Sequence, residues 1–321
     1  MMKVLIVRTS SMGDLIHTLP ALTDLVRHVP NIEIDWLAEE NFADIPMLHP
    51  AVKSVIPIAW RRWRKHLCSP ATWGQIRALK THLKSMHWDK VIDAQGLIKS
   101  AIPARLAGAP VAGYDAKSIR EPIASLFYSQ RFAVSRACSA VARNRKLFSE
   151  VFGYAAEGVP EFGIQCPARV NGLPTVPYAV LLHGTSRASK EWPEINWVGC
   201  GAQLYRDKGL ISLIPWGSEA ERLRANRLAD AIPHAIVAPR VNLWEAASML
   251  GHAQAVIGVD TGLAHLANAL AVPLVAIYTD TDPALTGVVE TPLAVNLGGI
   301  GCMPKPEEVL ETLSRLLREG K

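Results

Sequence analysis

Short apolar runs alternate with amphipathic stretches along the whole chain. In the first half, five runs rich in β-branched or aromatic residues predict strands at Lys3–Val7, Glu33–Ala38, Val52–Ala59, Lys90–Asp93 and Pro110–Tyr114. After the third run, apolar residues recur at helical spacing at Ile76, Leu79, Leu83 and Met86. A further helix is predicted from about Ser139 to Phe152. This alternation is typical of βαβ units and parallel sheets.

The alternation resumes after a proline-rich interruption. Residues 166–177, CPARVNGLPTVP, show little periodicity and are typical of a linker. Five further strands are predicted after it, at Tyr178–His183, Leu210–Pro215, His234–Ala238, Ala255–Val259 and Pro273–Tyr278. A last helix runs from about Pro306 to Gly320. We therefore predict an α/β protein with two Rossmann-like, doubly wound parallel-sheet domains facing a cleft, over residues 1–165 and 178–321.

Composition and charge narrow the class of protein. Of the 321 residues, 49% are hydrophobic and 20% are charged, which excludes extensive disorder. The net charge of +5 favours acidic partners such as phosphates or an anionic membrane surface, and it is not by itself a nucleic-acid signature. The five cysteines are widely spaced and include no CxxC pair, which argues against a disulfide framework and suits a reducing compartment.

No segment of the sequence predicts export or a membrane span. The apolar start, Met1 to Arg8, is too short for a secretory signal. The longest apolar stretch, Leu263–Tyr278, is interrupted by polar residues and a proline. We expect a soluble cytoplasmic protein.

Asp14 stands in the turn after the first predicted strand, within the segment RTSSMGD of residues 8–14. The turn has neither the GxGxxG dinucleotide fingerprint nor the GxxxxGK[ST] P-loop. Two interpretations stay open. Asp14 is either a first-turn acid favoured by the helix dipole or a carboxylate at the end of the strand that acts as a general base.

Two loops of the second half carry residue types that suit a nucleotide. Thr185, Ser186 and Lys190 follow a glycine after the first strand of that half, where they suit a phosphate or form a solvated loop. Ser218 and Glu221 match a capping box, and the Glu221 carboxylate also suits ribose hydroxyls.

A third loop begins a helix after a buried strand. Asp260, Thr261, Gly262 and His265 stand where free amides and the helix dipole attract an anion, and the alternative is a capped turn. Further on, residues 280–282 form a D-x-D, and such a pair of acids can hold a divalent metal on a diphosphate. Its second acid precedes a proline, as in an ordinary turn, and we predict no metal site there.

The densest basic run is WRRWRKH, residues 60–66, which contains Arg61, Arg62, Arg64 and Lys65. Together with Arg120 it suits a phosphorylated lipid headgroup, or single-stranded nucleic acid through stacking on the tryptophans. The alternative is a solvated charged surface.

Several segments together resemble the lipopolysaccharide heptosyltransferases of glycosyltransferase family 9. The matching segments span nearly the whole chain: VLIVRTSSMGDLIHTLPAL at 4–22, IPIAWRRWRK at 56–65, VIDAQGLIKSA at 91–101, REPIASLFY at 120–128, KEWPE at 190–194 and VDTGLAHLANAL at 259–270. Each segment alone is a weak signal, and the combination is highly specific.

The resemblance implies a GT-B glycosyltransferase with no catalytic metal or other cofactor. It implies inverting transfer of L-glycero-D-manno-heptose from ADP-heptose to the Kdo of Kdo-lipid A, in lipopolysaccharide inner-core synthesis. The implied location is the cytoplasmic face of the inner membrane, in peripheral contact with its anionic surface, with no nucleic acid as partner. By motif match, Asp14 is the catalytic base. The donor-binding residues are Thr185, Ser186, Lys190, Glu221, Asp260, Thr261, Gly262 and His265, and the acceptor-binding residues are Arg61, Arg62, Arg64, Lys65 and Arg120.

The chain departs from the family pattern at two places. The family usually has two threonines where this chain has Thr185 and Ser186, and usually Gly-Pro where it has Thr279 and Asp280. Two other functions stay open. One is a related transferase that acts on an already heptosylated core, and the other is a non-catalytic binder of anionic lipid or nucleic acid.

Overall fold

The structure is a computed structural model that describes residues 1–319, without the side chain of the last of these. The chain divides into two compact units, Met1–Ile164 and Gln165–Lys321. Within the described residues, none of the helices has the length and apolar character needed to cross a membrane.

The first unit is a sheet of six parallel strands with helices along the connections. The strands are β1 (Met2–Val7), β2 (Ile32–Glu39), β3 (Val52–Ile58), β4 (Lys90–Asp93), β5 (Val111–Tyr114) and β6 (Gln130–Phe132). The helices are α1 (Met12–Ile16), α2 (Leu19–His28), α3 (Asp44–Met47), α4 (Trp60–Trp63), α5 (Pro70–Ser85), α6 (Ile98–Leu106) and α7 (Ala140–Phe152). The strand order is β3-β2-β1-β4-β5-β6.

The second unit repeats this plan. Its strands are β7 (Tyr178–Leu182), β8 (Ile211–Ile214), β9 (Ile236–Val237), β10 (Ala255–Val259), β11 (Leu274–Tyr278) and β12 (Ala294–Gly298). Its helices are α8 (Glu194–Lys208), α9 (Glu219–Ala231), α10 (Leu243–Gly251), α11 (Gly262–Ala269), α12 (Pro283–Thr286) and α13 (Pro306–Glu319). The strand order is β12-β11-β10-β7-β8-β9, again with every pair parallel.

The central strands are apolar on both faces because helices cover both sides of each sheet. Every residue of β7, β10 and β11 is buried. In each unit the chain reverses its direction of winding once, at the β1–β4 pair and at the β7–β10 pair. Loops that leave the carboxyl ends of two such strands diverge and open a crevice for a ligand. The topology therefore points to the loops after β1, β4, β7 and β10.

The predicted fold class, two Rossmann-like, doubly wound parallel-sheet domains, is confirmed. Each sheet has one more strand than the five predicted. β6 is a three-residue edge strand with two exposed polar residues, and it carries no apolar pattern. The strand predicted at His234–Ala238 shortens to Ile236–Val237. The last helix is described from Pro306 to Glu319, and its predicted end at Gly320 lies outside the described residues.

Residues 166–177, predicted as a linker, contain no helix or strand in the structure. They are nevertheless held on the second unit. Ser248 of α10 donates its hydroxyl to the Ala168 carbonyl at 2.9 Å and accepts the Val170 amide at 3.1 Å. The Arg169 guanidinium lies 5.8 Å from the Tyr178 ring centre. This part of the segment therefore extends the second unit.

Candidate functional site

Asp14 lies in the first turn of α1, at the carboxyl end of β1. Its Oδ2 accepts hydrogen bonds from the Ser11 amide at 2.8 Å and the Ser11 hydroxyl at 2.9 Å. Its Oδ1 accepts one from Nη2 of Arg8 at 2.8 Å. The side chain stays 40% exposed. The carboxylate thus takes part in the helix start, as one interpretation required, and it also remains accessible to a ligand.

The surroundings of Asp14 keep it ionised. Burial by itself would raise the pKa of this carboxyl, but the Arg8 guanidinium and the Ser11 hydrogen bonds outweigh it, and the pKa is lowered from its ordinary value. Asp14 is therefore a carboxylate throughout the neutral range and is able to accept a proton there.

Two residues that the sequence analysis missed support the Asp14 loop. Gln95, just after β4, accepts hydrogen bonds from the Thr9 amide and hydroxyl at 2.8 and 2.7 Å. Nζ of Lys99, in the first turn of α6, donates to the Ser10 hydroxyl at 2.7 Å. Burial lowers the pKa of Lys99, and the positive charges of Arg61 and Arg64 lower it further. Both belong to the segment VIDAQGLIKSA, whose match to the family was the available signal.

Asp14 lines a cavity of about 190 Å³. Three arginines are among the residues that line it, Arg8, Arg120 and Arg143. The structure therefore brings the predicted acceptor residue Arg120 to Asp14. Arg143 was missed because α7 carries several basic residues and the sequence does not single one out. Three cations around one carboxylate favour an anionic ligand.

The structure separates the members of the basic run. Arg62 is occupied: its guanidinium forms a two-point ion pair with Glu40 at 3.0 and 3.2 Å and donates to Gln75 at 2.9 Å. Arg61 and Arg64 are exposed, and their positive charges lower the pKa of Lys99, which lies beside the Asp14 loop. Among the described residues, neither Arg64 nor Lys65 forms an ion pair.

Because Arg62 is paired and Arg64 is not, substitutions of the two residues should change the acceptor KM by different amounts. Arg62→Gln should change the acceptor KM less than twofold, because Arg62 is already paired with protein carboxylate. Arg64→Gln should raise it about fivefold, the scale of one exposed charge pair. Initial rates with a water-soluble acceptor measure both values. An Arg62→Gln effect as large as that of Arg64→Gln would show that the Glu40 pair opens to admit the ligand.

In the second unit, Asp260 connects the loops after β7, β10 and β11. Nζ of Lys190 pairs with its Oδ2 at 2.6 Å, and the Thr281 hydroxyl donates to the same oxygen at 2.8 Å. The Thr185 hydroxyl donates to the Asp260 carbonyl at 2.9 Å. Four residues from three strand ends therefore meet at the predicted nucleotide position. Ser186 is exposed on the same loop.

The α11 helix starts immediately after Asp260. Thr261 is its N-cap, and the Thr261 side chain forms no capping hydrogen bond. The amides at Gly262 and the following residue are then suited to an anion, with the helix dipole in support. His265 is buried in the first turn. The alternative interpretation, a capped turn, requires a side-chain capping hydrogen bond, and Thr261 forms none.

Trp192 anchors the loop that carries Lys190. Its side chain is fully buried, its Nε1 donates to the Pro304 carbonyl at 3.0 Å, and its ring packs edge-on against Trp197 at 5.1 Å. The tryptophan in KEWPE therefore fixes the lysine two residues earlier.

Glu221 caps α9. Its Oε2 accepts the amides of Gly217 and Ser218 at 2.6 and 3.2 Å, and its own amide donates to the Ser218 hydroxyl at 3.3 Å. The carboxyl also lies against Gly184 after β7, where an added Cβ would meet Cδ of Glu221 at 2.8 Å. The capping box is confirmed, and Gly184 is needed to admit Glu221 to this loop.

The acids of the D-x-D are each bound to protein donors. Asp282 is the N-cap of α12 and accepts the Ala284 amide at 2.9 Å, and Asp280 accepts the Ser189 hydroxyl at 2.6 Å. Among residues 1–319, no three His, Cys, Asp or Glu side chains are grouped so that they could hold a metal ion.

The fold is that of a two-domain α/β protein, and its loops bring candidate anion-binding residues together at the strand switch points. The model of the family "Glycosyltransferase family 9 (heptosyltransferase)" matches residues 76–313. Lipopolysaccharide heptosyltransferase 1 of Pseudomonas aeruginosa is 47% identical over 288 residues, 89% of this chain and 81% of that protein. Its namesake in Escherichia coli K12 is 44% identical, over 89% of this chain and 90% of that protein. The chain belongs to glycosyltransferase family 9.

Solved structures of heptosyltransferases are similar to this chain over its whole length. E. coli heptosyltransferase WaaC with ADP is similar over 100% of both chains, with a TM-score of 0.89 and 40% identity. The same enzyme with ADP-2-deoxy-2-fluoro heptose gives a TM-score of 0.86 and 39% identity. E. coli heptosyltransferase II, at 21% identity and a TM-score of 0.78, shares the fold. The chain is therefore a glycosyltransferase of the GT-B fold class.

Proposed function

We propose that the protein is an inverting heptosyltransferase that moves L-glycero-D-manno-heptose from ADP-heptose to the Kdo of Kdo-lipid A, in lipopolysaccharide inner-core synthesis. Curated relatives named heptosyltransferase 1 support the reaction at 44–47% identity. The similar structures hold ADP and an ADP-heptose analogue, which supports the donor.

One observation carries the proposal: each unit places its candidate residues at its own strand switch point. Asp14 and its supports follow β1 and β4, and the Lys190–Asp260 pair follows β7 and β10. The first position offers a carboxylate among arginines, which suits an acidic sugar. The second offers a lysine and a helix start, which suits a diphosphate.

In the proposed reaction, the carboxylate of Asp14 takes the proton of the attacking Kdo hydroxyl. The hydroxyl oxygen forms a bond to the anomeric carbon of the heptose on the face opposite the diphosphate. The bond between that carbon and the diphosphate oxygen breaks, and its electron pair leaves with ADP. The anomeric configuration therefore inverts, and the products are heptosyl-Kdo-lipid A, ADP and one proton.

Two groups offset the charge that develops on ADP. Nζ of Lys190 lies 2.6 Å from Oδ2 of Asp260, and we propose that it turns to the diphosphate when the donor binds. The amides at the start of α11 lie at a position where an anion is stabilised by the helix dipole. Electrostatic stabilisation of a leaving group by fixed donors is a large source of rate acceleration.

The protein acts on a lipid-borne acceptor at the cytoplasmic face of the inner membrane, in peripheral contact with its anionic surface. The exposed cations Arg64 and Lys65 support this contact. The two other functions of the sequence analysis differ in their behaviour: the related transferase needs a heptosylated acceptor, and the binder releases no ADP.

A coupled assay of ADP release tests the proposal. Purified protein with ADP-heptose should release ADP rapidly only when de-acylated Kdo-lipid A is present, and the acceptor should gain one heptose by mass spectrometry. ADP release that is independent of the acceptor, or no release at all, would contradict a heptosyltransferase.

We also expect activity without a divalent metal. Lys190 and the α11 amides supply positive charge at the diphosphate, and both acids of the D-x-D are engaged by protein donors. The rate in excess EDTA should stay within twofold of the untreated rate. The opposite result would be a rate that falls in EDTA and recovers when magnesium or manganese is added. If Asp282→Ala also abolished that recovery, a metal would be assigned to the D-x-D.

A further inference from the structure

The α5 helix presents one continuous exposed stripe. Trp73, Arg77, Lys80 and Lys84 are spaced by four, three and four residues, so that they share one face of the helix, and all four are exposed. Only Thr72 and Leu83 of this 16-residue helix are buried. Most of α5 is therefore available for contact with something other than its own sheet.

The cations of this stripe have no acidic partner. Within the described residues, Arg77, Lys80 and Lys84 form no ion pair. Residues 60–88 contain seven Lys and Arg, of which Arg62 is paired with Glu40, and no Asp or Glu. Surface cations are ordinarily interspersed with acids, so a stretch of this kind creates a positive local potential.

Two large apolar side chains lie at one end of the stripe. Trp73 is 51% exposed and Leu67 is 50% exposed. The indole Nε1 of Trp73 donates to the Leu67 carbonyl at 2.8 Å, which joins the loop before α5 to the first turn of the helix. An exposed tryptophan beside lysines is the composition of segments that lie at the interface of a membrane with water.

We propose that this stripe, with Leu67, is the surface by which the protein docks on an anionic phospholipid bilayer. The helix lies along the bilayer plane, its cations reach the lipid phosphates, and Trp73 and Leu67 enter the headgroup region. The shape favours a bilayer over single-stranded nucleic acid, because nucleic acid is held in grooves with several stacking rings, whereas this stripe is the outer face of one helix with one ring.

This inference rests on the proposed function only in expecting a lipid-borne acceptor. The basic run that holds Arg64 and Lys65 precedes α5 directly in the chain. Docking through α5 would therefore keep the predicted acceptor residues near the lipid surface.

Vesicle co-sedimentation of the full chain tests the docking surface without any need for turnover. Wild type should bind vesicles of phosphatidylcholine with phosphatidylglycerol and should not bind phosphatidylcholine alone. Lys80→Gln/Lys84→Gln should lower the partition coefficient about 25-fold, roughly fivefold for each cation. Trp73→Ala should lower it about tenfold, and this loss should persist in high salt, which screens only the charges.

A matched control is Arg206→Gln/Lys208→Gln, on the exposed end of α8, which removes the same charge. It should keep the wild-type partition within twofold. All variants should turn over a water-soluble acceptor at the wild-type rate, which separates docking from catalysis. Equal losses of vesicle binding in the two double variants would show that only net charge matters. Binding to an oligonucleotide but not to vesicles would assign the stripe to nucleic acid. Either result would overturn the proposal.

Discussion

We expect Asp14→Asn to lower turnover at least about a hundredfold while the protein keeps its fold and its affinity for the donor. The amide can keep a hydrogen bond with Ser11 but cannot accept the proton of the attacking hydroxyl, and a general base contributes a factor of about 100 or more. Single-turnover rates and a titration with ADP measure the two quantities separately.

Ser11→Ala is the control for the helix start. It removes the hydroxyl that donates to Asp14 at 2.9 Å and leaves the carboxylate in place. We expect it to cost about 1 kcal/mol of stability, the scale of a helix cap, and to leave turnover within a few-fold of wild type. If Ser11→Ala and Asp14→Asn lower turnover equally, Asp14 serves the helix start alone.

The lowered pKa of Asp14 fixes the direction of its pH dependence. A carboxyl whose pKa is lower in the folded than in the unfolded protein stabilises the fold above its unfolded pKa, and this stabilisation is lost as the pH falls through the folded pKa. The difference in melting temperature between wild type and Asp14→Asn should therefore shrink below about pH 4. The acid limb of kcat/KM due to Asp14 should lie in the same range.

We expect Lys190→Gln to give the second large loss, about a hundredfold in kcat. Removing one charged donor from a leaving group costs roughly this factor. The exposed Lys208→Gln of the same unit should leave the rate unchanged. The loss should fall on kcat more than on the donor KM, because the charge on ADP is greatest in the transition state.

Asp260→Asn shows whether Lys190 acts on the ligand or on its protein partner. The two side chains are paired at 2.6 Å and only slightly exposed. If Lys190 acts on the diphosphate, Lys190→Gln should cost about as much in the Asp260→Asn background as in wild type. If Lys190 serves only to neutralise Asp260, its loss should have little effect once that carboxylate is gone.

The central strands were predictable because their residues are buried on both faces. Runs such as Lys3–Val7 and Ala255–Val259 contain little except apolar residues, and the structure has strands there. β6 was not predictable. Gln130 and Arg131 are exposed on the sheet edge, where pairing with β5 holds the strand and composition gives no indication of it.

The sequence predicted which strands the candidate residues follow better than it predicted the contacts between them. The resemblance singled out Asp14, Lys190 and Asp260, each in the connection that follows a strand of a switch point. It did not show that Arg62 is paired with Glu40, because those residues are 22 positions apart and meet only through the β2–β3 pairing. Arg143 enters the Asp14 cavity from α7, and no local pattern marks a contact of that range.

The central claim is inverting heptosyl transfer to Kdo, and the structure of the reaction product tests it most directly. The protein should be incubated with ADP-L-glycero-β-D-manno-heptose and de-acylated Kdo-lipid A, and the glycosidic bond assigned by NMR. The account predicts one heptose, α-linked to Kdo. A β-linked heptose would contradict inversion, and product formed only from an acceptor that already carries heptose would contradict the proposed substrate.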